Sequence, residues 1–456
     1  QKMRHKLTEQ MDIFHTMGKN EIAKELKGIS DVLDANPEVL DPVYKDLTRE
    51  SRTDTGRTGM SAEQVLRSAI LKQYRNLTYE ELEFHLEDSK SFRSFARLDM
   101  GQYPVSSVLQ DNIKCISEGT WETINRILIR SADKDKTEKG RKIRIDATAV
   151  ETNIHTPSDS SLLCDGVRII TRWLENGQEL NPRPTYEYSD HNRVMKKRFK
   201  KILNTKKEET RKAAYKDLIH YAGLVCNYAE DSIVSLSLLK GNTDTDTVRA
   251  VALRNRIEKA LGLLKRVIDQ TERRVFKGEK VPANEKVVSF FETHTDIIEK
   301  GNRETEFGHK VFFTTGSSNL VLDCIIEKGN PADSTKYMDM VNRQKEIFGQ
   351  APLKTVADGA FASKENLYNG KEAGVRDVAF SKKRGLQVLE MVKSTWVYRQ
   401  LHNFRAGIEA NISHLKRSFG LRRCNWTGWE GFKQYVWSSV VSYNLLALAR
   451  LNLKTA

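Results

Sequence analysis

Paired cysteines, a long unbroken apolar run and an internal repeat are all missing from this 456-residue chain. Its five cysteines (Cys115, Cys164, Cys226, Cys324 and Cys424) lie far apart, with no CxxC spacing among them. An odd, scattered set excludes a disulfide framework and a zinc cage, and fits a reducing cytosol. Residues 1–14 lack the apolar core of a secretory signal. The most apolar stretch, residues 435–453, is interrupted by Ser438, Ser439, Ser442, Asn444 and Arg450. That pattern predicts a buried helix rather than a membrane span, so a soluble intracellular protein is expected. Acids are also in deficit, with 61 Asp and Glu against 75 Lys and Arg and a net charge of +14. An excess of this size favours a polyanionic partner, of which nucleic acid is the commonest. An acidic membrane surface, or a basic enzyme with no such partner, would give the same number.

The length predicts two or three domains. Residues 1–60 read as helical and then loop-like, ending in a polar run over 48–59. Residues 61–133 read as short helices. Ser61-x-x-Gln64, Thr78-x-x-Glu81 and Ser107-x-x-Gln110 each carry a capping-box signature. Short helices joined by tight turns are compatible with a helix-turn-helix DNA reader, and equally with a bundle that never touches DNA. After the charged stretch 134–142 the period changes. Residues 142–152 alternate apolar and polar and predict a strand. Residues 310–315, 320–326 and 353–357 read the same way, and 375–380 more weakly. Residues 190–300 are instead helical and highly charged. Ten Lys and Arg against two Glu lie between Met195 and Lys216, as a solvated face or as a track for DNA. The expected architecture is therefore an α/β core with an N-terminal helical domain and a long helical insertion after the first core strand. Its boundaries are 1–60, 61–133 (helix-turn-helix-like), 140–152 with 302–425 (core), 153–301 (insertion) and 426–456 (C-terminal helix).

Three acids stand out. Asp146 interrupts the apolar strand IRIDATAV, and Asp358 follows a strand in TVADGAF, with Gly359 free to turn the chain. Strand exits are where α/β sheets build their sites. Taken alone, Asp146 has a bland partner in Arg144, and Asp358 a bland role as a helix cap. Glu409 lies in a helix over residues 401–420. His402, Arg405, Glu409 and Lys416 fall within about 60° of one another on its wheel, beside an apolar arc. An intrahelical Arg405–Glu409 pair would explain part of that stripe but not Lys416. Three carboxylates from two strands and a helix suit Mg²⁺, which takes hard oxygen ligands and leaves positions open for phosphate and water.

These residues resemble the DDE transposases of bacterial insertion sequences, in the broad IS-four and IS-five-like grouping. The last acidic motif of that family, Y-x2-R-x3-E-x6-K, reads here His402-x2-Arg405-x3-Glu409-x6-Lys416, with His in place of Tyr. IDATAVE around Asp146 and ADGAF around Asp358 resemble the motifs of the first two acids. EFGHKVFF, GNPADST and RNLTYEELEFHL resemble further family segments. The resemblance implies an RNase H-like catalytic core and two Mg²⁺ ions (Mn²⁺ usable) held by Asp146, Asp358 and Glu409. It implies double-stranded DNA as partner, both the terminal inverted repeats and the target. A homodimer in the bacterial cytoplasm, associated with the nucleoid and not with a membrane, is expected. Arg405, Lys416 and His402 would contact DNA near the cut, and Lys382, Lys383, Arg384, Arg417, Arg422 and Arg423 would hold its backbone. Three other readings stay open. One is a DNA-binding descendant that has lost catalysis. Another is a tyrosine-type recombinase built on His402, Arg405 and a nucleophilic Tyr435. The third is an RNase H-like nuclease that cuts without strand transfer.

Overall fold

A computed structural model of the chain describes residues 2–3, 6, 20–49, 57–239, 243–299 and 304–455. Most of the segment 1–14 and the middle of the polar run 48–59 lie outside the described residues. The chain forms two compact units, residues 1–153 with 298–456, and residues 154–297.

The larger unit begins with helices α1 (Glu21–Asp34), α2 (Leu40–Thr48), α3 (Ala62–Tyr74), α4 (Tyr79–Asp88), α5 (Lys90–Phe95), α6 (Ser106–Lys114) and α7 (Glu118–Lys134). Capping boxes open α3 at Ser61 and Gln64, and α4 at Thr78 and Glu81. The third signature, at Ser107, does not form. Val105 stands at the N-cap of α6 and makes no side-chain cap, because the helix starts two residues earlier than a Ser107 cap requires, at Ser106. Helix α3 is buried on every side. Its Arg67 is 1% exposed and pairs with Glu63 at 3.0 Å and Asp34 at 2.7 Å. A helix enclosed in this way organises the N-terminal core and offers no face to a DNA groove.

The core sheet contains β1 (Lys142–Glu151), β2 (Glu306–Thr315), β3 (Val321–Glu327), β4 (Lys354–Ala357) and β5 (Asp377–Phe380). These strands run in the order β3-β2-β1-β4-β5. The β1–β2 and β2–β3 pairs are antiparallel, while β1–β4 and β4–β5 are parallel. Their β-branched and aromatic residues are buried, among them Ile143, Ile145, Phe312, Phe313, Val356 and Phe380. Helices α12 (Tyr337–Phe348) and α13 (Lys364–Glu372) connect β3, β4 and β5, and α14 (Thr395–Ser418) and α15 (Gly428–Thr455) close the unit.

The polar residues that break up the 435–453 stretch have structural uses. Asn444 accepts from the Val321 amide at 2.9 Å and donates to Asn125 at 2.7 Å, tying α15 to the start of β3 and to α7. Ser439 donates to the Phe419 carbonyl at 3.0 Å. Among the described residues no helix is long and apolar enough to cross a membrane.

Among the described residues the smaller unit holds four α-helices, α8 (Asp159–Gln178), α9 (Asn192–Asn204), α10 (Glu208–Leu238) and α11 (Asp244–Thr271). They enclose their own apolar core, with Leu163, Ile170, Leu218, Val225, Ile257 and Leu264 at its centre.

Candidate active site

Strand register builds the site before any side chain is considered. In the parallel β1–β4 pair Ile145 lies opposite Ala357, and in β4–β5 Ala357 lies opposite Phe380. The next residue on each strand is Asp146, Asp358 and Ser381. Three polar side chains therefore form a row across neighbouring strands, spaced about 4.8 Å apart. The chain leaves β4 at Gly359, where a Cβ would come within 2.5 Å of the Lys382 Cβ, so only glycine fits this close approach.

Helix α14 packs on β1, β4 and β5 and lays Arg405 over that row. One guanidinium nitrogen of Arg405 is 3.3 Å from Asp146 Oδ2 and 3.3 Å from Asp358 Oδ1, so the two oxygens are no farther apart than twice that length. The other nitrogen is 2.9 Å from Glu409 Oε1. One cation thus gathers the three acids. The intrahelical Arg405–Glu409 pair is real, but it is one arm of a larger cluster. The bland partner expected for Asp146 is not used. Arg144 turns away to donate to the Phe404 carbonyl at 2.9 Å and to Thr315 at 2.9 Å. Gly407 permits this, because a Cβ there would fall 1.8 Å from an Arg144 nitrogen.

Asp358 is poised as an anion. Burial favours its protonated form, but hydrogen bonds from Ser381 and the Gly359 amide, with Arg405 and Lys382 nearby, outweigh it and hold the carboxyl below its ordinary value. The Ser381 hydroxyl donates at 2.8 Å and itself accepts from the Gly359 amide at 2.9 Å. Ser381 escaped sequence reasoning, although it follows its strand in the same way that Asp358 follows β4. Tyr398 escaped it too. Its hydroxyl donates to the Phe380 carbonyl at 2.7 Å, and its ring lies 6.3 Å from that of the exposed His402 and 5.9 Å from the Lys383 ammonium. An aromatic ring is therefore present one helical turn before His402.

The remaining basic residues divide into two groups. Lys382, Lys383 and Arg384 are exposed in the loop that leaves β5, next to the acids. Lys416 and Arg423 gather instead at Glu151, about 16 Å along β1 from Asp146 by the rise of a strand. Arg423 pairs with Glu151 at 2.8 Å. Burial lowers the pKa of the Lys416 ammonium, with Glu306 and Glu151 opposing. Arg417 and Arg422 are exposed. Tyr435 is 1% exposed and donates to the Gly420 carbonyl at 2.8 Å. Burial raises the pKa of its phenol, which leaves no accessible nucleophile for the recombinase reading. Trp426 is buried against it, with ring centres 5.9 Å apart.

Comparison with known families bears on the remaining readings. Residues 267–445 match the family described as Transposase DDE domain, and residues 16–115 match that described as Transposase domain (DUF772). Over residues 267–445 the chain is thus similar to a transposase DDE domain. The DDE match contains Asp358, Arg405, Glu409 and Lys416, whereas Asp146 precedes it and joins the site through strand register. A DDE domain implies an RNase H-like core, and the mixed sheet agrees with one. No curated protein and no solved structure matches the chain.

DDE transposases generally use divalent metal ions. Among the described residues no three acid, histidine or cysteine side chains stand close enough to hold one directly, because the Arg405 guanidinium lies between the acids. The donor set nevertheless fits a hard divalent ion, being three carboxylates already directed at one cation. The Nε of Arg405 is buried without a hydrogen-bond partner, so the guanidinium is incompletely satisfied where it lies.

Proposed function

We propose that the protein cuts the ends of an insertion sequence and joins the freed 3′-OH to target DNA, with Asp146, Asp358 and Glu409 as its catalytic acids. The observation that carries this reading is the convergence of the three acids on Arg405, inside a chain with two transposase-family matches. The IS-four and IS-five-like assignment rests on the His402-x2-Arg405-x3-Glu409-x6-Lys416 spacing. A homodimer follows from the need to hold two element ends together.

In this mechanism Asp146 and Asp358, side by side on the sheet, would hold two Mg²⁺ ions, with Glu409 supplying a third carboxylate from the helix. When bound, the ions activate the attacking oxygen and stabilise the leaving one. Arg405, whose guanidinium lies against the three carboxylates, would place its charge beside the scissile phosphate. Ser381 keeps Asp358 ionised and oriented. Lys382, Lys383 and Arg384 hold the backbone near the cut, while Lys416, Arg417 and Arg422 hold it farther along, without reading sequence. His402 bonds phosphate, with Tyr398 beside it.

The test is cleavage of a labelled duplex carrying the element's own end. Cleavage that leaves a free 3′-OH with Mg²⁺ and stops with EDTA supports the reading. Cleavage through a covalent protein–DNA link contradicts it, and binding without cleavage points to the inactive descendant.

Ser381→Ala gives a finer expectation. Loss of a hydrogen bond that orients a metal ligand costs about 10- to 100-fold in activity. Because that bond favours the ionised form, the Asp358 pKa rises in the variant. Activity present above that pKa is lost as pH falls through it, so the acid limb of the pH–rate profile should move to higher pH. A profile that keeps its limb would show that Ser381 does not tune Asp358.

A further inference from the structure

We infer that α9 of the smaller unit binds the phosphate backbone of duplex DNA along one face, an inference that rests on the transposase reading for the identity of its partner. Residues 192–207 contain eight Lys and Arg and no Asp or Glu. Within α9, Arg193, Lys196, Lys197, Lys200 and Lys201 are all exposed. At about 100° per residue these five cover roughly 140° of the helix, centred opposite the buried pair Met195 and Ile202. The helix is therefore anchored by an apolar edge and presents a continuous cationic stripe to solvent.

A solvated helix face ordinarily intersperses acids, and this one does not. Like charges at i, i+3 and i, i+4 repel, each pair costing about 0.2–0.5 kcal/mol. Several such pairs are stacked along this stripe. Arg193 also lies in the first turn, where the helix dipole disfavours a cation and no acid is present. Among the described residues none of the five forms an ion pair. On α10, Asp217 pairs at 2.6 Å with Arg198, on the same basic helix but outside the stripe, and Glu208 pairs with Lys212 at 2.8 Å. The repulsion is thus left for a ligand to relieve. That ligand must carry repeated negative charge over a length comparable to the stripe, about 12 Å from Arg193 to Lys201. A nucleic-acid backbone does so, with a charge every ~1.7 Å of duplex axis, and it matches a row of cations that has no hydrogen-bonding pocket for any single anion. Met195 and Ile202 are turned into the core, and Leu203, 64% exposed beside Lys196, is a single apolar residue at the margin, well short of the apolar face that insertion into a lipid surface needs.

The test uses the full chain with all five residues changed to Gln, measured against random-sequence duplex by fluorescence anisotropy over a salt series. Removing one phosphate-neutralising cation lowers the slope of log K against log salt by about 0.9. The quintuple variant should therefore lose about two to four units of slope and at least about tenfold in affinity at moderate salt. A second variant, with the four lysines changed to Arg, should keep the wild-type slope. Far-UV circular dichroism and urea unfolding check that the variants keep the wild-type fold. Unchanged slope and affinity in a folded Gln variant would overturn the inference and leave the transposase reading intact. Stripe-dependent binding to phosphatidylglycerol vesicles in place of DNA would also overturn it. A wild-type chain that binds no duplex at all would remove the transposase reading itself.

Discussion

Asp358→Asn, and Asp146→Asn beside it, should each reduce cleavage of the element's end by at least about 10³-fold. Metal-assisted stabilisation of a reacting phosphate is worth several kcal/mol, and about 1.4 kcal/mol corresponds to tenfold in rate. An amide oxygen is a weaker ligand for a hard divalent ion and carries no charge to oppose it. The shape of the site should survive. Asp358 sits at a strand exit with its side chain 38% exposed, and the Ser381 hydroxyl can donate to an asparagine oxygen as it does to the carboxylate. Duplex binding by anisotropy should therefore stay within a few-fold of wild type while cleavage disappears. Retention of more than about a tenth of wild-type cleavage would remove these acids from the chemistry. Glu409→Gln should act in the same direction, although its side chain is 62% exposed and less fixed.

The second large effect concerns stability. Asp323 on β3 is 1% exposed, and Arg343 on α12 supplies its ion pair, one contact at 2.8 Å and a second through Nε. Arg343 also reaches Glu122 on α7 at 2.8 Å. Breaking a buried pair from one side leaves an uncompensated charge and costs about 3–5 kcal/mol. Arg343→Met should therefore destabilise the larger unit by that amount in urea unfolding. The effect should depend on pH in a defined sense. Burial already holds the Asp323 carboxyl above its ordinary value, with Arg343 opposing, so removal of Arg343 raises it further. A carboxyl whose folded pKa is raised takes up a proton on folding. Its contribution is favourable below its unfolded pKa and is lost as pH rises through the folded one. The variant should thus recover stability on acidification from pH 8 toward pH 5 more than the wild type does. A destabilisation under about 1 kcal/mol, independent of pH, would show that Asp323 does not depend on Arg343.

Much of the core was legible because its signals are local. The alternation over 142–152 corresponds to β1 (Lys142–Glu151), and the TVAD segment to β4 (Lys354–Ala357), since β-branched residues in a buried parallel strand leave a clear pattern. The acidic helix was visible from its apolar spacing, though it begins at Thr395, earlier than its motif, where Ser394 caps it. What the sequence could not supply was register. Ile145 opposite Ala357 is a contact across 212 residues, and it alone sets Asp146 beside Asp358. Arg144 shows the same limit. Two residues from Asp146 on an apolar strand, it looked like a local partner, yet its charge is used by the Phe404 carbonyl through a gap opened by Gly407. Ser107 failed as a cap because two residues of helix extension displace the box. Ser381 stayed hidden because a serine after a strand is ordinary until the neighbouring strand brings a carboxylate to it.

The central claim is that Asp146, Asp358 and Glu409 together hold divalent metal. Iron(II)-directed cleavage of the protein tests it most directly, because Fe²⁺ bound in place of Mg²⁺ generates hydroxyl radicals that cut the nearest backbone. With full-length protein, Fe²⁺, ascorbate and peroxide, cuts should map to the chain around residues 146, 358 and 409. They should be suppressed by excess Mg²⁺ and disappear in Asp358→Asn. Cuts confined to other segments, or cuts at these three positions that persist in Asp358→Asn, would contradict the account.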